Sequence, residues 1–137
     1  MLPNILNTNE VKDAAGVEVE FNPWASVDRS KTYAAAGESY AAPHRLKISH
    51  QESGSGVRMR RRSVVRVDKT TTGVDSSPVT VSAYLVLDVP VGDLSANTEA
   101  KNVIAELLSF CATTGAATTV LFDCTGNGAS VLISGGL

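Results

Sequence analysis

Residues 44–69 read HRLKISHQESGSGVRMRRRSVVRVDK, and alternation within this stretch decides the architecture. Over 44–51, Leu46, Ile48 and His50 fall on one side of an extended chain while Lys47, Ser49 and Gln51 fall on the other, the period of two that marks a β-strand. Glu52-Ser53-Gly54-Ser55-Gly56 has the composition of a turn. A second strand is expected over 57–69, with Met59, Ser63, Val65 and Val67 on one face and Arg60, Arg62, Val64, Arg66 and Asp68 on the other. The resulting hairpin has one apolar face and one basic, hydrogen-bonding face. Arg61 breaks the alternation, because strict period two aims it at the core. Either the strand bulges there or this end of the hairpin overhangs the core.

Downstream, residues 69–78 (Lys-Thr-Thr-Thr-Gly-Val-Asp-Ser-Ser-Pro) are polar, contain Gly and Pro, and predict a long loop of a functional or mobile kind. A strand follows over 79–91, where Val79, Val81, Ala83, Leu85, Leu87, Val89 and Val91 alternate with Thr80, Ser82, Tyr84, Val86, Asp88 and Pro90. Pro90 cannot donate to a ladder, so the strand ends or lies at an edge there. The period then changes to 3.6. Ala100, Val103, Ile104, Leu107, Leu108 and Cys111 form one apolar stripe, predicting a helix over 96–113 with Ser95 or Asn97 as N-cap and Glu99 in its first turn. A shorter second helix is expected over 116–122, and the Gly-rich remainder reads as a turn plus an exposed extended piece.

Upstream, segments 4–12 and 17–21 flank Asp13-Ala14-Ala15-Gly16 and predict a leading hairpin. Pro23 and Trp24 end it, and an irregular stretch containing Tyr33, Tyr40 and one short strand leads to Pro43.

The composition fits one compact domain: 137 residues with 43% hydrophobic and 19% charged side chains suffice for a packed core. Its expected parts are the hairpin and sheet (1–91), a helical region (95–123) and a tail (124–137). Apolar runs are too short to span a bilayer and no basic-then-apolar leader is visible, so a soluble chain starting at Met1 and no membrane partner are expected. The net charge of −2 hides an asymmetry: residues 45–69 hold eight of the twelve basic residues against only Glu52 and Asp68 of the fourteen acidic ones. Positive charge concentrated on one segment makes a directed face, for which phosphate is the commonest partner, a solvated charge run being the bland alternative.

Cys111 and Cys124 lack the spacing of a zinc site, so no metal is expected, and they read as small apolar fillers rather than a disulfide within or between chains. His44 and His50 read as structural or solvated. No cofactor is implied.

Several antiparallel strands followed by one amphipathic helix make a poor monomer, because one helix covers only part of an open sheet and the strand before it leaves an unpaired edge. Two copies paired edge to edge, each helix crossing onto the other's sheet, would satisfy both needs. The fold class is therefore α+β: an antiparallel meander with a leading hairpin and two C-terminal helices, completed as an intertwined dimer.

In the order and spacing of these elements the sequence resembles the coat proteins of the single-stranded RNA bacteriophages, the leviviruses. The resemblance rests on the leading hairpin, the strand pair 44–51 and 58–69, the Thr/Gly/Ser-rich loop, Ser82-Ala83-Tyr84-Leu85 with a Pro at the strand end, and the helix 99–111 before a Gly/Asn-rich terminus. It is densest between Arg45 and Phe110. The arginine run at 58–62 and the end after Asp123 depart from the pattern. The resemblance implies a homodimer that assembles into an icosahedral T=3 shell, packages single-stranded RNA, binds an RNA hairpin on its inner sheet face, and resides in the virion after assembly in the bacterial cytoplasm. It also implies the maturation protein as a partner and, in some members, translational repression of the replicase. Carried over by position, it puts Lys47, Ser49, Gln51, Arg62, Val64 and Arg66 against RNA, with Tyr84 as the base-stacking aromatic. Alternation adds Arg60. Val103, Ile104, Leu107, Leu108 and Cys111 would pack the dimer, and Thr70, Thr71, Thr72, Gly73, Asp75 and Ser76 would form the loop at the symmetry axes.

Two other classes compete. An enzyme is disfavoured because no nucleophile–base spacing, nucleotide-cradling loop or supported carboxylate pair can be picked out. A dimeric RNA-binding regulator that never forms a shell shares every feature above except assembly. Tyr84 also reads as a rim tyrosine with no RNA partner, and each arginine as a non-specific contact to packaged genome.

Overall fold

One carboxylate shapes the first turn. Asp13 Oδ1 accepts hydrogen bonds from the backbone N–H groups of Ala15 and Val17 at 2.9 and 3.0 Å, the local bonding that makes Asp a turn residue. Val19 N then donates to Val11 O at 2.9 Å, and Leu6 exchanges both backbone hydrogen bonds with Phe21. The expected leading hairpin is therefore present around this turn. Apart from Leu6, its first arm before Val11 lies outside the described residues, which in this computed structural model are Leu6, 11–114, 120–121 and 123–136.

The stretch expected to be irregular is instead a second hairpin, β1 (Phe21–Val27) and β2 (Ser30–Ala35). Pro23 is accommodated because the β1–β2 register shifts between Pro23 and Ala25, an irregularity that tolerates a missing N–H. Tyr33, Ala34 and Ala35 are all buried. Consecutive burial erases the period of two, which is why this strand pair is hard to read from sequence.

Three long strands follow in a meander: β3 (His44–Ser53), β4 (Arg60–Thr72) and β5 (Pro78–Val89), giving the sheet order β1-β2-β3-β4-β5. Strand β4 starts later and ends later than expected. Residues Gly56–Arg58 form a 3-10 turn and Met59 lies outside the strand; the turn is pinned where Gly92 N donates to Met59 O at 3.0 Å. A Cβ on Gly92 would stand 2.0 Å from Gly56 O, so only glycine permits that approach. Pairing from Glu52↔Arg61 to His44↔Lys69 shows no slip. Arg61 is thus not re-aimed by a bulge; it sits at the end of the apolar face beside Val89, with Nε 3.7 Å from the Glu52 carboxylate.

The ten-residue loop expected at 69–78 shrinks to Gly73–Ser77. Thr70, Thr71 and Thr72 continue β4 opposite Thr80, Val79 and Pro78, and the Thr70 and Thr80 hydroxyls meet at 2.8 Å. Threonine is β-branched and favours the pleated strand that its polarity disguises. The turn closes through Gly73 N to Ser77 O at 2.7 Å and Ser76 N to Gly73 O at 3.1 Å, with Ser76 in the left-handed region at φ 65°.

The helical region also differs in detail. The cap is neither Ser95 nor Asn97 but Asp93, whose Oδ1 accepts from Ser95 N and Ala96 N at 3.0 and 3.1 Å. It starts α1 (Leu94–Asn97), and the chain re-enters helix as α2 (Ala100–Cys111). The expected helix over 116–122 is contradicted where it can be seen: β6 (Thr113–Thr114) pairs with β7 (Val120–Leu121), and residues 115–119 and 122 lie outside the described residues. The tail read as extended contains α3 (Asn127–Ser134), ended by Gly135 in the left-handed conformation. Gly128 allows α3 to cross α2 closely, since a Cβ there would meet Phe110 O at 1.9 Å. Both cysteines are free; Cys111 is half-buried, whereas Cys124 is exposed and so is no apolar filler. Among the described residues, no helix is long and apolar enough to cross a membrane.

Register sorts the sheet into two faces. Tyr33, Leu46, Ile48, Val65, Val67, Ala83, Leu85 and Leu87 share the apolar one. Its β1–β3 half is covered by the chain itself, in a core of Leu6, Phe21, Tyr33, Ala35 and Leu46 with Val11, Val19, Ile48 and Val67 against it. Among the described residues the β4–β5 half has no such cover, and Val79 and Val81 are exposed. Helix α2 packs mainly against α3, and none of its residues is buried; Val103, Leu107 and Leu108 remain 54%, 46% and 38% exposed.

Because Tyr33 is fully buried at the centre of the core, Tyr33→Ala is expected to cost about 3–5 kcal/mol, the usual loss for deleting a core aromatic. A lowered urea midpoint at unchanged slope is the measurement that checks it.

Candidate nucleic-acid interface

The opposite face is built by the same register. Lys47, Arg66 and Tyr84 stand in one row across β3, β4 and β5; Ser49, Val64 and Val86 form the next, and Gln51, Arg62 and Asp88 the one after. Rows two residues apart along a strand are spaced by about 6.6–6.8 Å. Arg60, two residues beyond Arg62 on β4 and opposite Ser53, extends the face towards the turn. All eight residues proposed from the sequence for RNA contact thus share one side of the sheet. Ser49, Gln51, Arg62 and Val64 also line a single open depression of about 470 Å³ together with Asp28, Arg29, Ser30 and His50.

Tyr84 is 58% exposed, and the Arg66 guanidinium lies 4.9 Å from its ring centroid, within cation–π range. Since β5 ends the sheet, the tyrosine stands next to an unpaired edge. Arg66 Nε also donates to Asp68 Oδ1 at 2.7 Å, and the Ser82 hydroxyl donates to the same oxygen. Desolvation pulls the Asp68 carboxyl up, but the hydrogen bonds from Ser82 and Arg66 outweigh it and hold the group below the usual carboxylate range. The Asp68 contact in turn raises Arg66. Arg60 Nε is similarly held by Asp88 Oδ1 at 2.8 Å. Among the described residues, Lys47 and Arg62 make no ion pair.

Sequence reasoning missed the carboxylates Asp68 and Asp88 as counterions on this face, although period two had put both there. It also missed a cluster at the β1 side. Arg45 lies in the row of Asp68 and Ser82, places its guanidinium 3.9 Å from the Trp24 ring centroid, and grips Glu38 through Nε and Nη2 at 2.9 Å each. The Arg45 contact is the main cause that depresses the Glu38 carboxyl, with a further hydrogen bond from His44 N. Glu38 and Arg45 are seven residues apart on different elements, so no local periodicity signals the pair.

The helix residues Val103, Ile104, Leu107, Leu108 and Cys111 do form one stripe, on α2 and away from this face. Of the six loop residues, only Gly73, Asp75 and Ser76 lie in the turn itself. His50 Nδ1 meets the Ser63 hydroxyl at 2.8 Å on the apolar face, and His44 lies edge-on to Phe21 at 5.2 Å. Both histidines are structural in these contacts. Among the described residues no group of three or more His, Cys, Asp or Glu is placed to hold a metal ion.

Neither a family model nor a curated protein matches the sequence. The fold does have solved counterparts. The coat protein of bacteriophage EMS014 aligns over 97% of this chain and 95% of its own, at TM-score 0.66 and 12% identity. An unassembled virus coat protein dimer, described as a bacteriophage RNA-binding dimer, aligns over 98% and 95% at TM-score 0.60 and 15% identity. The capsid protein of bacteriophage GA aligns over 88% and 86% at TM-score 0.53 and 18% identity. The chain has the fold of the RNA bacteriophage coat proteins.

A depressed Glu38 contributes stability that is fully present above the ordinary carboxylate pKa of about 4.3 and is lost as pH falls through the lowered folded value. Glu38→Gln should therefore be less stable than the parent near pH 7, and the difference should vanish at the acid end. Thermal melts of both proteins from pH 7 down to pH 3 provide the check.

Proposed function

We propose that this chain, built on the coat-protein fold, is a structural coat protein of an RNA bacteriophage. It dimerises, assembles into a closed icosahedral shell, and binds single-stranded RNA, including a hairpin, on the polar face of β3–β5. The observation that carries the reading is the pairing of two faces on one sheet: cations around an exposed tyrosine on one side, an apolar surface left half-covered on the other. The coat-protein counterparts support both halves, since one is described as a dimer that binds RNA.

The incomplete coverage supports one way for two copies to meet. Strand β5 offers twelve residues of unpaired edge, and pairing it with a second β5 continues the sheet across a two-fold axis. Each α2 then lays Val103, Ile104, Leu107, Leu108 and Cys111 on the exposed β4–β5 half of the other copy. The polar faces unite into one surface towards the RNA, and Gly73–Ser77, at the far end of the β4–β5 hairpin, reaches the symmetry axes. In this reading the chain performs no catalysis. Repression of the replicase message, contact with a maturation protein, and assembly in the host cytoplasm complete the role.

Phosphates fall to Lys47, Arg60, Arg62 and Arg66, and unpaired bases to Tyr84 and the depression of Ser49, Gln51, Arg62 and Val64. The ion-paired Arg60 and Arg66 must exchange a carboxylate for a phosphate, whereas Lys47 and Arg62 need not.

Size-exclusion chromatography of the expressed protein tests the whole reading. Elution at the void with nucleic-acid absorbance is expected; a dimer that binds RNA but never forms particles would assign the chain to a regulator instead. On the same column Leu108→Asp should remove soluble dimer, because an unpaired charge buried at the helix–sheet contact costs several kcal/mol. Normal assembly of that variant would contradict the covering role of α2.

RNA binding should separate into two contributions in filter titrations across salt. Arg62→Ala is expected to lower the salt slope by about 0.7, the single-strand value for one phosphate contact. Tyr84→Ala should leave the slope unchanged yet cost about 1–3 kcal/mol on a hairpin presenting an unstacked base. Unchanged behaviour in either variant removes that residue from the site.

A further inference from the structure

The cluster at the β1 side of the polar face has no part in the role just described. Trp24, Glu38, Ser39, Tyr40, Pro43 and Arg45 line an open cleft of about 630 Å³. Trp24 is 61% exposed and Tyr40 fully exposed, so two aromatic rings face solvent at the mouth of one concavity. Neither ring belongs to the core, and one already carries a planar cation, the Arg45 guanidinium, 3.9 Å from its centroid. The Glu38 carboxylate fixes that guanidinium through both Nε and Nη2.

We propose that this cleft is a second, sequence-tolerant stacking site for an unpaired nucleobase of the RNA held on the sheet. The inference rests on the RNA-binding reading of the β3–β5 face and adds to it a site outside the Tyr84 region. Three features point to a base. Aromatic rings on an open surface offer π-faces, and every base can stack on them. The Glu38 oxygens are already engaged by Arg45 and by His44 N, so the one carboxylate lining the cleft is not free to read a base edge, which favours stacking with little preference among bases. Finally, the cleft adjoins the phosphate-binding row: Arg45 is two residues from Lys47 on β3, a step of about 6.6–6.8 Å and close to the span of one extended nucleotide. Because the Arg45 charge is balanced by Glu38, the cleft takes the base while Lys47 and Arg66 carry the flanking phosphates.

Trp24 is the single tryptophan of the chain, so its emission reports on this cleft alone. The full-length dimer would be titrated with a single-stranded oligoadenylate, an oligouridylate and an abasic oligomer of the same length and charge. Both base-bearing oligomers are expected to quench Trp24 and the abasic one is not. Tyr40→Ala removes a fully exposed side chain and should not disturb folding. It should weaken the base-bearing oligomers by about 5- to 150-fold, the range for losing one stacked base, and leave the abasic oligomer unaffected.

Equal quenching by the abasic oligomer, or unchanged affinity in Tyr40→Ala, overturns the inference. So does Trp24 shielded from acrylamide in RNA-free particles, which would assign the cleft to a contact between subunits. If the oligomers bind with the salt dependence set by Arg62 but without the Trp24 signal, only the second site fails. If none binds, the RNA-binding reading fails with it.

Discussion

The unbroken antiparallel register of β3, β4 and β5 is the constraint from which the other properties follow. Side chains alternate across a sheet with a period of exactly two residues, so a one-residue slip between β3 and β4 would carry Leu46 and Ile48 to the solvent and Lys47 into the apolar layer. Burial of Leu46, Ile48 and Val67 against Phe21 and Tyr33 opposes that slip. The core on one face thereby fixes the positions of Lys47, Arg62, Arg66 and Tyr84 on the other. The basic face needs no packing of its own; it is held in place by apolar contacts on the far side of the same strands.

The two halves of the sheet's apolar face are covered unequally. Its N-terminal hairpin covers the β1–β3 half of the apolar face, and among the described residues no comparable element covers β4–β5, α2 packing towards α3 instead. Val103, Leu107 and Leu108 gain little from their own chain, yet they keep a regular stripe. An apolar helix stripe and an apolar half-sheet, both exposed within one chain beside the edge strand β5, are the surfaces that the proposed second copy would cover.

Legibility in the sequence followed from one-sided burial. Strands β3, β4 and β5 have one wet and one apolar face, so their alternation survives, and the eight residues it assigned to the polar face share that face. Helix α2 was legible because its apolar side chains keep one stripe at helical spacing, although none of them is buried within the chain. Where burial is two-sided or polarity misleads, the signal disappears: Tyr33-Ala34-Ala35 is buried at every position, and Thr70-Thr71-Thr72 looks like loop while extending β4. Helix α3 was missed because its glycine-rich start at Asn127-Gly128 suggests a turn, whereas Gly128 is there for close approach to α2. Residues joined only by tertiary structure leave no local signal of their pairing: Glu38 with Arg45 has none, and for Arg60 with Asp88 the alternation gives the shared face but not the contact.

Those ion pairs change what the charge asymmetry means. Eight basic residues in one segment suggest a uniformly phosphate-hungry surface, but Arg45, Arg60 and Arg66 each have a carboxylate within hydrogen-bond distance. A phosphate that recruits Arg60 or Arg66 must leave Asp88 or Asp68 nearby, and the repulsion offsets part of the Coulomb gain. Lys47 and Arg62 have no ion pair to exchange among the described residues, although Asp88 stands directly across from Arg62. The paired arginines instead favour a ligand that can use the planar guanidinium without displacing its partner, by stacking on it or on the aromatic ring beside it. In the proposed role such a sheet would attract RNA generally through Lys47 and Arg62, with stacking on Tyr84 added beside an Arg66 guanidinium that Asp68 already holds.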